Sequence, residues 1–148
     1  MTEARRLLAV LLVLVLGVGV TACGSDSDSE GDKGSEIEGV TWQVMNVFSN
    51  GAASSLPADL DPPTLELSDG KANVFAGCNS GSGEAEVSEK TIDFGPIGLT
   101  MKSCGQIEDQ VEAIVSKVLQ GEVKYEVNAD GNLVLEKGAD GLVLTPPK

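Results

Sequence analysis

Residues 106–121 read QIEDQVEAIVSKVLQG. Ile107, Val111, Ile114, Val115, Val118 and Leu119 fall at i, i+4, i+7, i+8, i+11 and i+12, which is one apolar face at the helical period. Glu108, Asp109 and Glu112 favour the N-terminal half, where the helix dipole is positive, and Gly121 supplies a stop. The pattern predicts a single helix over about residues 106–120, its apolar face packed on a sheet.

The sequence on both sides reads as strands. Thr41–Phe48 (TWQVMNVF) is rich in β-branched and aromatic residues. Thr64–Leu67 and Ala72–Ala76 flank Ser68-Asp69-Gly70-Lys71, a hairpin signal. Gly81–Val87 and Thr91–Phe94 flank the polar turn Ser88-Glu89-Lys90, and Val123–Val127 and Asn132–Glu136 flank Asn128-Ala129-Asp130-Gly131. Leu142–Thr145 follows Asp140-Gly141. Ser49–Pro63, with Asn50-Gly51 and three prolines, reads as a long loop. Successive hairpins around one helix predict an α+β domain: a mostly antiparallel curved sheet, or half-open barrel, of about seven short strands packed on that helix.

Upstream of residue 37 the sequence changes character twice. Arg5 and Arg6 precede Leu7–Val20, which is apolar or glycine throughout. That run is shorter than the roughly 20 residues of a spanning helix and has the layout of a secretory signal. It ends Val20-Thr21-Ala22-Cys23-Gly24, similar to a bacterial lipobox, which implies cleavage after residue 22 and lipid attachment (palmitate included) at Cys23. The competing reading is an uncleaved N-terminal anchor. Residues 23–36 then form an acidic tether: GSDSDSEGDKGS at 24–35 has no apolar residue with which to offset the entropy of ordering. Asp26, Asp28, Glu30, Gly31 and Asp32 imitate part of a calcium loop, but Ile37 stands where a bidentate Glu is needed, so no metal site is expected. The folded domain is expected over residues 37–148.

Composition narrows the chemistry. The 148-residue chain carries 10 basic and 23 acidic side chains, a net −13, and no histidine. Loss of residues 1–22 removes Glu3, Arg5 and Arg6 and takes the net charge from −13 to −14. A polyanion gains nothing from counterion release on nucleic acid. Without histidine there is no Ser-His or Cys-His pair and no His-type zinc site. With Cys23 assigned to lipid, Cys78 and Cys104 remain. Outside the cytoplasm such a pair is expected to oxidise to a disulfide, free or redox-active thiols being the alternative. The bridge would tie the Gly77-Cys78-Asn79 corner to the segment entering the helix.

Several segments occur in an order resembling the META domain, or HslJ-like, family: Gly39-Val40-Thr41-Trp42, Gly77-Cys78-Asn79, Gly95-Pro96 after Phe94, Thr100-Met101-Lys102-Ser103-Cys104 before the helix, and a close with Leu133, Leu135, Gly141 and Leu144. The similarity spans about residues 37–146. It implies a barrel-like antiparallel sheet on one long helix, often in envelope lipoproteins and heat-shock-associated proteins, and brings no catalytic residues. The family usually has aromatics after Gly-Cys-Asn; Ser80-Gly81-Ser82-Gly83 has none.

The expected function is therefore a non-enzymatic binding or stress-associated module, lipid-anchored on the extracytoplasmic side of the cell membrane. It is expected to be a monomer needing no cofactor, with an envelope protein or small cationic ligand as partner. A pilotin-like assembly helper is the alternative. A carboxylate-based hydrolase ranks last: Glu84 and Glu86, or Asp59 and Asp61, could serve one, but in so acidic a chain such pairs arise by chance, and strand alternation sends Glu84 and Glu86 to one face.

Overall fold

The helix forms over Gln106–Val118 (α1). Val111, Val115, Val118 and the following Leu119 are buried, whereas Ile107, on the first turn, remains 50% exposed. The structure, a computed structural model, describes residues 36–147. The signal, Cys23 and the tether up to Ser35 lie outside the described residues.

Around α1 run β1 (Thr41–Ser49), β2 (Ala52–Ser55), β3 (Thr64–Ser68), β4 (Lys71–Phe75), β5 (Ser80–Val87), β6 (Thr91–Phe94) and β7 (Gly98–Leu99), then β8 (Gly121–Val127), β9 (Leu133–Lys137) and β10 (Asp140–Thr145). Every strand pairing among them is antiparallel. The domain is thus α+β, an antiparallel sheet with one helix.

The sheet differs from the half-open, seven-strand expectation. β1, β3, β4, β5, β6, β8, β9 and β10 form a ring, closed where β10 pairs back onto β1 from Gln43↔Thr145 to Phe48↔Gly141. Closure joins the two ends of the domain, so hairpin signals between neighbouring segments do not reveal it. The nine-residue β1 makes it possible by having both edges in use: one holds β10, and the other holds β3 at Thr41–Gln43 and β2 at Asn46–Ser49. Closure leaves the ring no free edge.

Two short strands lie off the ring. The segment expected as a loop turns at Asn50-Gly51, with φ of 52° and 79°, and returns as β2. Positive φ at both central residues is the twist-matched hairpin geometry that Asn-Gly favours. The returning residues, Ala-Ala-Ser-Ser, are all exposed and show no apolar alternation. The other is β7, two residues paired to β5.

Alternation fills the barrel. Leu65 and Leu67, Ala72 and Val74, Leu133 and Leu135, and Leu142 and Leu144 all point inward. Along β1 the phase shifts at a bulge between Val44 and Asn46, so that Val44 and Val47 are both buried. One end of the barrel is closed by Ile37, whose carbonyl accepts a 2.9 Å hydrogen bond from Trp42 Nε1. α1 covers the other end. There it packs on β1, β9 and β10 and is bonded to Asn79 before β5 and to Asp140 at the start of β10.

Candidate functional site

Gly77 has φ of +106°, and a Cβ there would lie 3.5 Å from Val111 Cγ1 and 3.6 Å from Pro63 Cγ. The space would admit a Cβ at ordinary van der Waals distance, so it is the positive φ that calls for glycine. The turn presents Cys78 and Asn79 to the segment leading into α1. Cys78 and Cys104 are joined by a disulfide, their Cα atoms 6.2 Å apart.

Beside it, Asn79 is 3% exposed and uses its full hydrogen-bonding capacity. Its Oδ1 accepts from Thr100 Oγ1 and from the Lys102 backbone N–H, both at 2.7 Å. Its Nδ2 donates to the Lys102 carbonyl and to Glu112 Oε1, both at 3.2 Å. Its backbone N–H donates to Glu112 Oε2 at 2.9 Å. One buried side chain thereby fixes the backbone of Lys102 through both polar groups and couples it to α1. In the sequence Gly77-Cys78-Asn79 and Thr100–Cys104 stand as order markers and Glu112 as a helix-dipole residue, and nothing there joins Asn79, Thr100 and Glu112 into one network. The available signal was a lone Asn at the mouth of a cysteine-closed loop.

At the far end of α1, Lys117 Nζ lies 2.7 Å from Asp140 Oδ2, and the Asn50 N–H donates to Asp140 Oδ1 at 3.2 Å. These contacts, that with Lys117 first, hold the Asp140 carboxyl below its ordinary range.

The carboxylates weighed for hydrolysis do not form a site. Glu84 and Glu86 are exposed on the outer face of β5, and Asp59 and Asp61 are exposed in the loop before β3. Among the described residues no three His, Cys, Asp or Glu side chains gather as metal ligands.

Two concavities stand out among the described residues. The larger, about 610 Å³, lies on the outside of β8 and β9 and is mixed in charge, with Glu36, Glu89, Glu126 and Glu136 against Lys90 and Lys124. The other, about 430 Å³, opens between the second half of α1 and the Gly95–Leu99 strap. Its apolar lining comes from Val74, Phe94, Ile97, Leu99, Val115 and Leu119, with Ser116 and Gln120 as polar neighbours.

The strap can sit there because Gly81 and Gly83 of β5 put no side chains beneath it. A Cβ on Gly81 would collide with the Gly98 carbonyl oxygen, and one on Gly83 would fall 2.7 Å from that of Pro96. The glycines that depart from the aromatic pattern are therefore required by the strap.

A closed antiparallel barrel stopped by one helix, with its Gly-Cys-Asn corner bonded to that helix, defines the class. Residues 35–147 match the META domain, and the chain belongs to that family. Two solved structures share the fold. One, an NMR structure of a protein from Burkholderia xenovorans, is 21% identical with a TM-score of 0.64, over 78% of this chain and 87% of that one. The other, also an NMR structure, is 17% identical with a TM-score of 0.61, over 75% of this chain and 92% of that one. Comparison with curated proteins finds no match.

Proposed function

We propose that this META-domain protein is a lipid-anchored binding module on the extracytoplasmic side of the cell membrane, with no catalysis of its own. The observation that carries the binding role is the apolar cleft beside α1, a concave site at the mouth of a barrel. The absence of histidine from the whole chain and the surface positions of the candidate carboxylates support a non-catalytic role. The anchor rests on the lipobox at Cys23, and the acidic tether would hold the barrel clear of the lipid surface. The net −14 of the cleaved chain favours basic partners and disfavours anionic lipid heads.

Mass spectrometry of the protein extracted gently from its native membrane tests this reading. The expected form begins at Cys23, carries diacylglycerol, and retains a ligand or partner. An uncleaved, unacylated chain would remove the address. A chain isolated without ligand or partner, from cells whose envelope is indifferent to its deletion, would remove the binding role.

A further inference from the structure

The 430 Å³ cleft has no ionisable side chain in its lining, although 22% of the chain is charged. The outer groove, by contrast, carries six charged side chains among its lining residues. An ion entering the cleft would shed water and meet no charged side chain in the lining, Lys137 standing just outside it beyond Gly121, which is unfavourable. A neutral apolar group entering it would exchange water for Val, Leu, Ile and Phe surfaces. Ser116, half-buried, and Gln120, exposed, offer neutral donors and acceptors. The volume lies toward the low end of small-ligand sites, which run from about 300 to about 1,000 Å³. That suits one slender chain better than a two-chain lipid.

We propose that the cleft binds the single alkyl or acyl chain of an uncharged ligand, with Ser116 and Gln120 holding its neutral polar head. This deepens the binding-module reading and rests on it. The wall is preformed: β7 pairs with β5 at Gly81↔Leu99 and Ser82↔Gly98, so the strap is in place before the ligand arrives. The same chemistry could come from a soluble monoacyl compound or from a lipid drawn out of a bilayer.

The test uses the full-length protein in phosphatidylcholine vesicles and a monoacylglycerol with a diazirine in its acyl chain. The probe is added from solution in one arm and within the bilayer in the other. Photolysis is expected to label peptides containing Pro96–Leu99 and Val115–Gln120. Labelling should be at least tenfold stronger than with the corresponding fatty carboxylate, and should fall about tenfold in Ser116→Glu and in Gln120→Glu. Gln120 is exposed, so its variant keeps the test valid if Ser116→Glu folds poorly. Labelling in either arm supports the proposal and identifies the source. Absent labelling, equal labelling by both heads, or labelling indifferent to both variants would overturn it. If the cleft is unlabelled but the membrane-extracted protein still carries another ligand or partner, the ligand class is wrong and the binding-module reading stands.

Discussion

Glu112 accepts two hydrogen bonds from Asn79, one from its backbone N–H and one from its side-chain amide. The relationship ties the corner before β5 to the second turn of α1, and α1 is what stops that end of the barrel. Removing the amide would leave the Thr100 hydroxyl, both backbone groups of Lys102 and a Glu112 oxygen short of partners. Asn79→Ala is expected to cost about 3 kcal/mol, from several lost bonds and the unpaired groups they leave. That should lower Tm by about 10 °C, read from the fluorescence of Trp42, the chain's one tryptophan. Asn79→Asp should be no better at neutral pH, because it removes two donors and sets a second carboxylate against Glu112. A shift under 2 °C in both variants would show that the network does not hold the helix.

The disulfide joins the same two segments by a different physical route. It restricts the unfolded chain, and for a closed loop of about 27 residues the chain-entropy relation gives about 3.5 kcal/mol. Asn79 holds the folded geometry without it. Reduction, or Cys78→Ser with Cys104→Ser, should therefore lower the thermal midpoint while leaving amide chemical shifts of the barrel strands in place. Loss of the folded spectrum on reduction at 25 °C would contradict this division of labour.

Asp140 predicts a pH dependence whose sign is fixed. Its folded pKa lies below the ordinary value of 3.8. The stabilisation from Lys117 and Asn50 is therefore complete above about pH 4 and is lost as pH falls through the lower folded value. Asp140→Asn should melt below the wild type at pH 7, and the two curves should converge toward pH 2. A gap in melting temperature that stays constant across that range would refute the assignment.

Two glycines near each other in the sheet should respond in opposite ways. At Gly81 a methyl group would collide with the Gly98 carbonyl, a backbone atom that cannot swing aside. Gly81→Ala is expected to destabilise by about 1–3 kcal/mol. At Gly98 nothing lies within 4 Å of the added carbon. Gly98→Ala should be neutral or gain up to about 1 kcal/mol through the unfolded chain. Urea unfolding of both variants decides the matter, and equal effects would mean that the strap does not lie over Gly81.

Much of the architecture was legible locally. The Asp69-Gly70 hairpin, the Thr91–Phe94 strand and the helix stripe each depend on neighbouring residues, and each stands where periodicity put it. β2 was hidden because Ala52–Ser55 offers no alternation, leaving its Asn-Gly turn as the only cue. β7 was hidden because its two residues are placed by pairing with Gly81 and Ser82 rather than by propensity. The cleft was illegible for a related reason. Val74, Phe94 and Leu119 read individually as core residues, and only the path of the strap leaves space beside them. Asn79 carried no visible sign that all its hydrogen bonds converge on the lead-in to α1.

The β1–β10 seam also bears on the order in which the chain is made. β1 is among the first parts of the domain to leave a ribosome or a translocation pore, and its partner is the last strand to follow. The barrel cannot close on a partial chain, because no earlier segment supplies the Gly141–Thr145 ladder. An N-terminal fragment of any length short of β10 leaves one edge of Gln43–Phe48 unpaired and open to other strands. Vectorial emergence thus leaves the barrel open until β10 is available, and a closure between strands this far apart in sequence carries a large loop-closure cost. Until Thr145 arrives, that edge of β1 has no strand of the ring to pair with.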